Sequence, residues 1–350
     1  MSEAVPAARR YRVAQWATGN VGTQSLRAIL QHPRLELVGL RVYAKDKVGR
    51  DAGELCGLPP TGIVATDDIE RILAAKPDCV AYMPNHSEID VMCRLLEAGL
   101  NIATPRYEFN SRDRLDPEWR ARIEAACERG RSTLYATGST PGWSTEIMPM
   151  ALTLMMRRLD AITLTEYADM SSRNSPEMLF KILPFGADPA KVADRPHATA
   201  HSSPPSLSAT AAAFGLPADE VICSHEYATT RSRVTIPAGT LEAGTIGAMR
   251  MVIDARHQGH TVIRRRTTWY VTKDVEPDWD LRDTGWRYQV EGDVPLDVSI
   301  SIPVAAADYP RVSPGFTAHP VVNAIPSVCE AAPGIRHTAE MGPIIPYFGR

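Results

Sequence analysis

At 350 residues the chain exceeds what one hydrophobic core usually holds, so two domains are the first expectation. Its net charge of −3 gives no electrostatic reason to expect nucleic acid or an anionic membrane as partner, and 44% apolar with 23% charged residues is ordinary globular composition. No apolar stretch is long enough to span a bilayer, and Met1 to Arg10 lacks a signal-type apolar core. The six cysteines form no C-x-x-C pair, so a reduced, cytoplasmic chain without structural zinc is expected.

Tyr11 to Trp16 is β-prone and runs into Ala17-Thr18-Gly19-Asn20-Val21-Gly22; Leu26, Ile29 and Leu30 then recur at helical spacing until Pro33. Strand, glycine turn and helix in that order suit a dinucleotide phosphate. Glycine lets the backbone approach the pyrophosphate, and the helix N-terminus offers it unpaired N–H groups. Alone, the turn is a weak signal, because any tight strand-to-helix connection can produce it and Ala17 stands at the motif's first glycine. A second β-prone run, Leu35 to Tyr43, completes a βαβ unit, and that context makes Thr18, Gly19, Asn20, Val21 and Gly22 the expected cofactor contacts.

The end of the second strand bears on which cofactor binds. NAD enzymes usually place an acid there for the ribose 2′-hydroxyl. Here Arg41, Tyr43, Lys45 and Lys47 cluster instead, and the first acid is Asp46. A basic cluster suits a 2′-phosphate, which favours NADP(H), with NAD(H) as the second possibility and Arg41, Tyr43 and Lys47 as contacts. The competing reading is a solvated basic loop.

Gly49 to Pro60 reads as loop with a helical turn. Asp67 and Glu70 read as a capping box opening a helix to Ala75. Cys79 to Met83 reads as a strand buried on both faces, ended by Pro84-Asn85-His86, with Ser87 starting a helix through Ala98. Asn101 to Thr104, Pro117 to Arg129 and Thr133 to Ala136 continue as strand, helix and strand. This alternation predicts a Rossmann-type, doubly wound parallel sheet over residues 1–140, with ligands beyond the strands' carboxyl ends; Pro84, Asn85 and Thr104 are therefore further cofactor candidates. Glu108 lies in the loop after Thr104, between Tyr107 and Phe109. A carboxylate desolvated by apolar neighbours can exchange protons near neutral pH. An ordinary surface glutamate is the alternative, since Asp113 and Asp116 follow closely.

Thr137 to Trp143 reads as a hinge into an apolar helix, Thr145 to Arg157. Ala161 to Tyr167 reads as a strand, Arg173 to Gly186 contains a helix with Met178, and Pro196 to Pro205 is loop. The β-prone runs Val221–Tyr227, Arg231–Ile236, Gly247–His257, Val262–Thr272 and Val298–Ile302 follow, with a hairpin turn at Gln258-Gly259-His260. They predict an α+β domain with a mostly antiparallel sheet over 141–315, one face of which a second copy of the chain would cover in a homodimer. Residues 316–350 carry a helix, Val321 to Ala332, and a tail that return to the first domain. No H-E-x-x-H or G-x-S-x-G occurs, and His197 and His201 sit in a Pro- and Ser-rich loop, so neither a metal site nor serine hydrolase chemistry is expected.

The strand–G-N-V-G–helix opening, with Asp51-Ala52-Gly53-Glu54-Leu55, resembles the dihydrodipicolinate reductase N-terminal family. Where that family commonly has a ribose-reading acid this chain has Arg41. The reductase's adjacent histidines followed by K-x-D-A-P-S-G-T are absent, so dihydrodipicolinate reduction itself is not implied. Over nearly the whole chain, V-A-Q-W-A-T-G-N-V-G, V-Y-x-x-x-K-V-G-R-D-A-G, Thr104 to Phe109, Gly138 to Trp143, and H-P-V-V-N-A-I-P with its following P-G-I resemble the 2,4-diaminopentanoate dehydrogenase-like group, which includes the native amine dehydrogenases.

That resemblance implies reversible oxidative deamination of an amine to a ketone or aldehyde and ammonia, with Glu108 as the catalytic group. No clear Lys or Arg pair marks a substrate carboxylate, although Arg106 and Arg173 are possible, so a substrate lacking one is expected. Trp143, Tyr167 and Met178 are candidate pocket walls, with core packing the alternative for each. An NADP-dependent imine or carbonyl reductase and a non-catalytic NADP-binding protein are the rival readings, because fold alone excludes neither.

Overall fold

The computed structural model describes residues 9–192, 207, 210–211, 214–216, 218–305 and 307–347; the Pro196 to Pro205 loop, with His197 and His201, lies outside these. The chain divides into two units, Met1–Trp143 with Arg311–Arg350, and Ser144–Pro310.

The first unit is built on β1 (Tyr11–Trp16), β2 (Leu35–Arg41), β3 (Cys79–Tyr82), β4 (Asn101–Thr104) and β5 (Thr133–Ala136), joined by a C-terminal strand, Gly334–Arg336. All pair in parallel, in the order C-terminal strand–β5–β4–β3–β1–β2. The order reverses between β1 and β3, and such a reversal opens a crevice above the carboxyl ends of the strands. β3 is buried along its whole length, as its unbroken apolar run requires. The helix α1 (Asn20–Gln31) buries Gly22, Ser25, Leu26 and Ile29, one stripe at helical spacing, against this sheet.

Local expectations shift in three places. The helix α2 (Ala52–Cys56) supplies the helical turn, while α3 (Ile69–Ala74) is capped by Asp68 rather than Asp67. The helix α4 (Ile89–Glu97) starts two residues after Ser87, whose hydroxyl is engaged elsewhere. The helix α5 (Pro117–Gly130) begins as read, with Asp116 as its cap.

The C-terminal helix differs most. It runs Tyr309–Glu330 and contains Pro314, Pro320 and Pro326. Each interior proline costs about 3 kcal/mol, which is why the sequence reading begins only at Val321. Buried Ala318, Val321, Val322, Ala324, Ile325 and Val328 outweigh that cost, since a buried Val or Ile contributes about 1.5–3 kcal/mol.

In the second unit, β6 (Leu159–Asp169), β7 (Glu220–Thr230), β8 (Val234–Ile236), β9 (Gly239–Leu241), β10 (Ile246–His257), β11 (His260–Tyr270), β12 (Val275–Glu276), β13 (Gly285–Gly292) and β14 (Leu296–Ser301) dominate. Seven of them form one sheet in the order β12-β7-β10-β11-β6-β13-β14, antiparallel except where β11 meets β6. Gln258 and Gly259, both at positive φ (50° and 80°), make the tight turn between β10 and β11. The expected strand from Arg231 is shorter, because β7 runs on to Thr230 and β8 starts only at Val234. The sequence reading does not contain β13; it pairs with β6 and buries Tyr288 and Val290. The helix after Trp143 is also shorter than expected: α6 spans only Met148–Thr153.

Candidate active site

The turn after β1 is held from beneath. Gln15 is fully buried; its Nε2 donates to the Ala17 carbonyl at 2.8 Å and its Oε1 accepts from Ser25 Oγ at 2.8 Å. Ala17 takes φ +71°, the left-handed backbone that a glycine would adopt without strain. A β-carbon on Gly22 would lie 2.3 Å from the Ala17 carbonyl oxygen, so only glycine lets α1 approach the strand this closely. A β-carbon on Gly19 would meet nothing within 4 Å. Gly19 caps α1 without a side-chain bond and no acid occupies the first turn, so no side chain of that turn competes with an anion there. Asn20 is exposed and Val21 half-buried at the same helix start.

Beside the turn lies a cavity of about 290 Å³, lined among others by Thr18, Gly19, Tyr43, Lys47, Pro84 and Asn85. Six sequence candidates thus converge. Met83 and His86 line it too; no sequence signal distinguished them from other loop residues. Thr104 serves differently: fully buried, it donates from Oγ1 to the Tyr82 carbonyl at 2.7 Å and accepts from Arg106 N, tying β3 to β4.

The basic cluster is only partly available to a ligand. The Arg41 guanidinium carbon lies 3.9 Å from the Tyr43 ring centroid and 4.9 Å from that of Trp16, with Nε and Nη1 buried and unpartnered. Lys47 Nζ donates to the Thr18 carbonyl at 2.9 Å and to its hydroxyl at 3.2 Å, joining the basic loop to the glycine turn. Lys45 is drawn off to Asp67 at 2.6 Å. The Tyr43 hydroxyl accepts from Trp16 Nε1 at 3.1 Å and donates to Glu88. Burial first, then that bond to Glu88, holds the phenol well above its ordinary pKa.

Glu108 sits on a single 3₁₀ turn, Tyr107–Phe109. The expected apolar flank is absent. Successive side chains of such a turn point about 120° apart, so Phe109 is buried in the core while Tyr107 is 46% exposed. The carboxylate meets Arg106 instead: Oε1 accepts from Arg106 Nη2 at 2.9 Å and Nε at 3.1 Å, and from the Ser87 hydroxyl. Its Oε2 is shielded from water and has no partner. Sequence reasoning took Ser87 for a helix start and Arg106 for a possible carboxylate binder; both hold Glu108.

Trp143 is half-buried at the end of the first unit's opening segment. In the second unit, Tyr167 and Met178 do not share a wall. Tyr167 is in register with Thr268, Arg250 and Glu226 on one face of the sheet, whereas Met178 packs with Trp269 and Met249 on the other. Side chains alternate along strands, so a one-residue offset decides the face. Arg173 lies over the Tyr309 ring, 5.9 Å from its centroid.

The turn, the open side of Gly19 and the adjoining cavity fit a dinucleotide pyrophosphate, and the parallel sheet with its crevice is that of a Rossmann-type oxidoreductase. Comparison with known proteins narrows the class. Residues 200–346 match the 2,4-diaminopentanoate dehydrogenase C-terminal domain family. An amine dehydrogenase of Streptomyces virginiae is 31% identical over 353 residues, covering 96% of this chain and 97% of that protein. A 4-hydroxy-tetrahydrodipicolinate reductase of Anaeromyxobacter sp. (strain Fw109-5) is 29% identical over 117 residues, 33% of this chain and 41% of its own. The solved structure of an amine dehydrogenase from Mycobacterium smegmatis has the same fold, with TM-score 0.71 and 20% identity over 96% of this chain and 97% of that one. The chain belongs to the amine dehydrogenase family, oxidoreductases that act on amines.

Proposed function

We propose that the protein is an NADP(H)-dependent amine dehydrogenase that interconverts an amine without an α-carboxylate and a ketone or aldehyde plus ammonia, with Glu108 as the catalytic residue. The observation that carries this reading is the dry, unpartnered Oε2 of Glu108 in the loop after β4. The bound nicotinamide supplies the two-electron oxidation or reduction. In the reductive direction Glu108 Oε2 accepts a proton from ammonium as the nitrogen adds to the carbonyl and passes it to the carbinolamine hydroxyl, which leaves as water; the carboxylate, charged again, then holds the iminium cation. A carboxylate suits that step because the species it faces is cationic, and exclusion of water strengthens the attraction. Arg106 is committed to Glu108, which supports a substrate with no carboxylate of its own to bind.

Gly19 and the first amides of α1 would take the pyrophosphate, and Arg41, Tyr43 and Lys47 the adenosine end. Arg41 stands at the end of β2 where an acid would read the ribose, and Glu88 is engaged by the Tyr43 hydroxyl, which supports a ribose 2′-phosphate over a hydroxyl. Homodimerisation and a cytoplasmic location belong to the same reading. Arg266, in register through Thr165 with Arg287 of β13, and Arg250 and Tyr167 in the row two residues along give one sheet face of the second unit a polar layer suited to a second copy, and the free cysteines suit a reducing compartment.

The test is NADPH oxidation with small ketones and aldehydes, with and without ammonium at alkaline pH, beside Glu108→Ala. Ammonium-dependent turnover lost in the variant is the expected result. Carbonyl reduction indifferent to ammonium would move the protein to the reductase alternative, and NADPH binding without turnover to a non-catalytic role.

A further inference from the structure

Resting on the reading of Glu108 as catalytic, we infer that Arg106 and Ser87 are positioning residues that occupy one oxygen of this carboxylate and leave the chemistry to the other. A carboxylate oxygen offers about two lone pairs. Oε1 of Glu108 already meets three donors, Arg106 Nε at 3.1 Å, Arg106 Nη2 at 2.9 Å and the Ser87 hydroxyl, so a substrate N–H finds no acceptor there. Oε2 has no donor, and the groups that cover it must give way for a substrate nitrogen to reach it. Oε2 is therefore the atom that takes the proton from the nitrogen, passes it to the leaving hydroxyl and, charged again, holds the iminium.

Arg106 is itself fixed. Its Nη1 donates to the Asn85 carbonyl at 2.5 Å, its backbone N–H donates to Thr104 Oγ1 at 3.2 Å, and its guanidinium lies 5.6 Å from the Tyr107 ring centroid. A guanidinium held in this way presents its fork at one angle, which a lysine ammonium cannot reproduce. The other holder, Ser87, stands two residues after Asn85, which lines the cavity beside the glycine turn. The loop that would touch the dinucleotide thus also sets the carboxylate.

The experiment measures ammonium-dependent turnover and thermal melting for the full-length protein and for Arg106→Ala, Arg106→Lys, Ser87→Ala, Glu108→Gln and the double variant Arg106→Ala/Glu108→Gln. Misplacing a catalytic group by about 1 Å costs on the order of 10²-fold in rate. Arg106→Ala should therefore lower kcat by about that factor, Arg106→Lys should recover only part, and Ser87→Ala should lose roughly tenfold. Added guanidinium should restore turnover to Arg106→Ala but not to the double variant. In the Glu108→Gln background the Arg106→Ala loss should nearly vanish, since residues acting as one unit are non-additive.

Full additivity of the two losses, or an unaltered kcat in both Arg106→Lys and Ser87→Ala, would make the ion pair merely structural and overturn the inference. Should Arg106→Ala not fold, Arg106→Lys and Ser87→Ala carry the same comparison against Glu108→Gln. Absence of ammonium-dependent turnover in the unaltered protein would instead sink the amine dehydrogenase reading, and this inference with it.

Discussion

Gly22 and Ala17 approach so closely that a β-carbon on Gly22 would lie 2.3 Å from the Ala17 carbonyl oxygen, while the neighbouring Gly19 has nothing within 4 Å of the same position. The two glycines of one turn therefore do separate things. Gly22→Ala should push α1 off the sheet, lowering stability by about 2 kcal/mol or more, of the order of other overpacking changes. Gly19→Ala, at φ −70°, should fold with its stability unchanged and lose NADPH affinity, because the methyl group enters space the chain leaves to a ligand. Chemical denaturation and NADPH fluorescence titration on both variants separate the effects; equal loss of stability in both would refute the division.

Ala17 itself is strained. A residue with a β-carbon in the left-handed region costs roughly 1–2 kcal/mol, and φ +71° is in that region. Glycine relieves this but gains more freedom on unfolding, which takes back about 0.5–1 kcal/mol. Ala17→Gly should raise stability by up to about 1 kcal/mol, read as a shift in denaturation midpoint at constant slope. A lower midpoint would mean that the methyl group packs usefully under the turn.

Arg41, stacked on Tyr43 and Trp16, is the cation at the end of β2. Removing it should weaken NADPH binding by about 10–100-fold and NADH binding far less, since one charge-assisted bond to phosphate contributes about 1.5–3 kcal/mol. Competition titrations on Arg41→Ala with the two cofactors decide it. An equal effect on both would assign Arg41 to the adenine ring or to the fold alone.

In the second unit, Asp254 accepts from Arg264 Nε and Nη2, each at 2.7 Å, and is 8% exposed. Burial pushes its carboxyl upward, but the bonds and charge of Arg264, with Arg256, outweigh it and hold the pKa below the ordinary value. The folded state thus binds this proton less readily than the unfolded chain. The pair's contribution is complete above about pH 4 and is lost as pH falls through the lowered folded value. Asp254→Asn should destabilise by about 2–4 kcal/mol at pH 7, because Arg264 is left half-buried without its partner. That gap should shrink below pH 4, as urea melts across pH 3–7 would show; a gap constant with pH would remove Asp254 ionisation as the cause.

The sequence by itself determined the first sheet, its glycine turn and the neighbourhood of the carboxylate. Period-two and all-apolar strands, α1's helical stripe and the turn Ala17–Gly22 are local patterns, and local patterns survive into the fold. Tertiary structure alone decided the C-terminal helix through Pro314 and Pro320, because the burial that offsets each proline comes from residues far away in the chain. It also decided what Glu108 touches. Aromatic neighbours in sequence suggested an apolar pocket, but the turn geometry sent Phe109 inward and brought up Arg106, with Ser87 arriving from the loop after β3. Whether Tyr167 and Met178 face one another rested on strand register, which only pairing across β6 and β11 establishes. Spacing along a chain specifies which residues an element carries, and the contacts of those residues depend on elements that sequence proximity does not reveal.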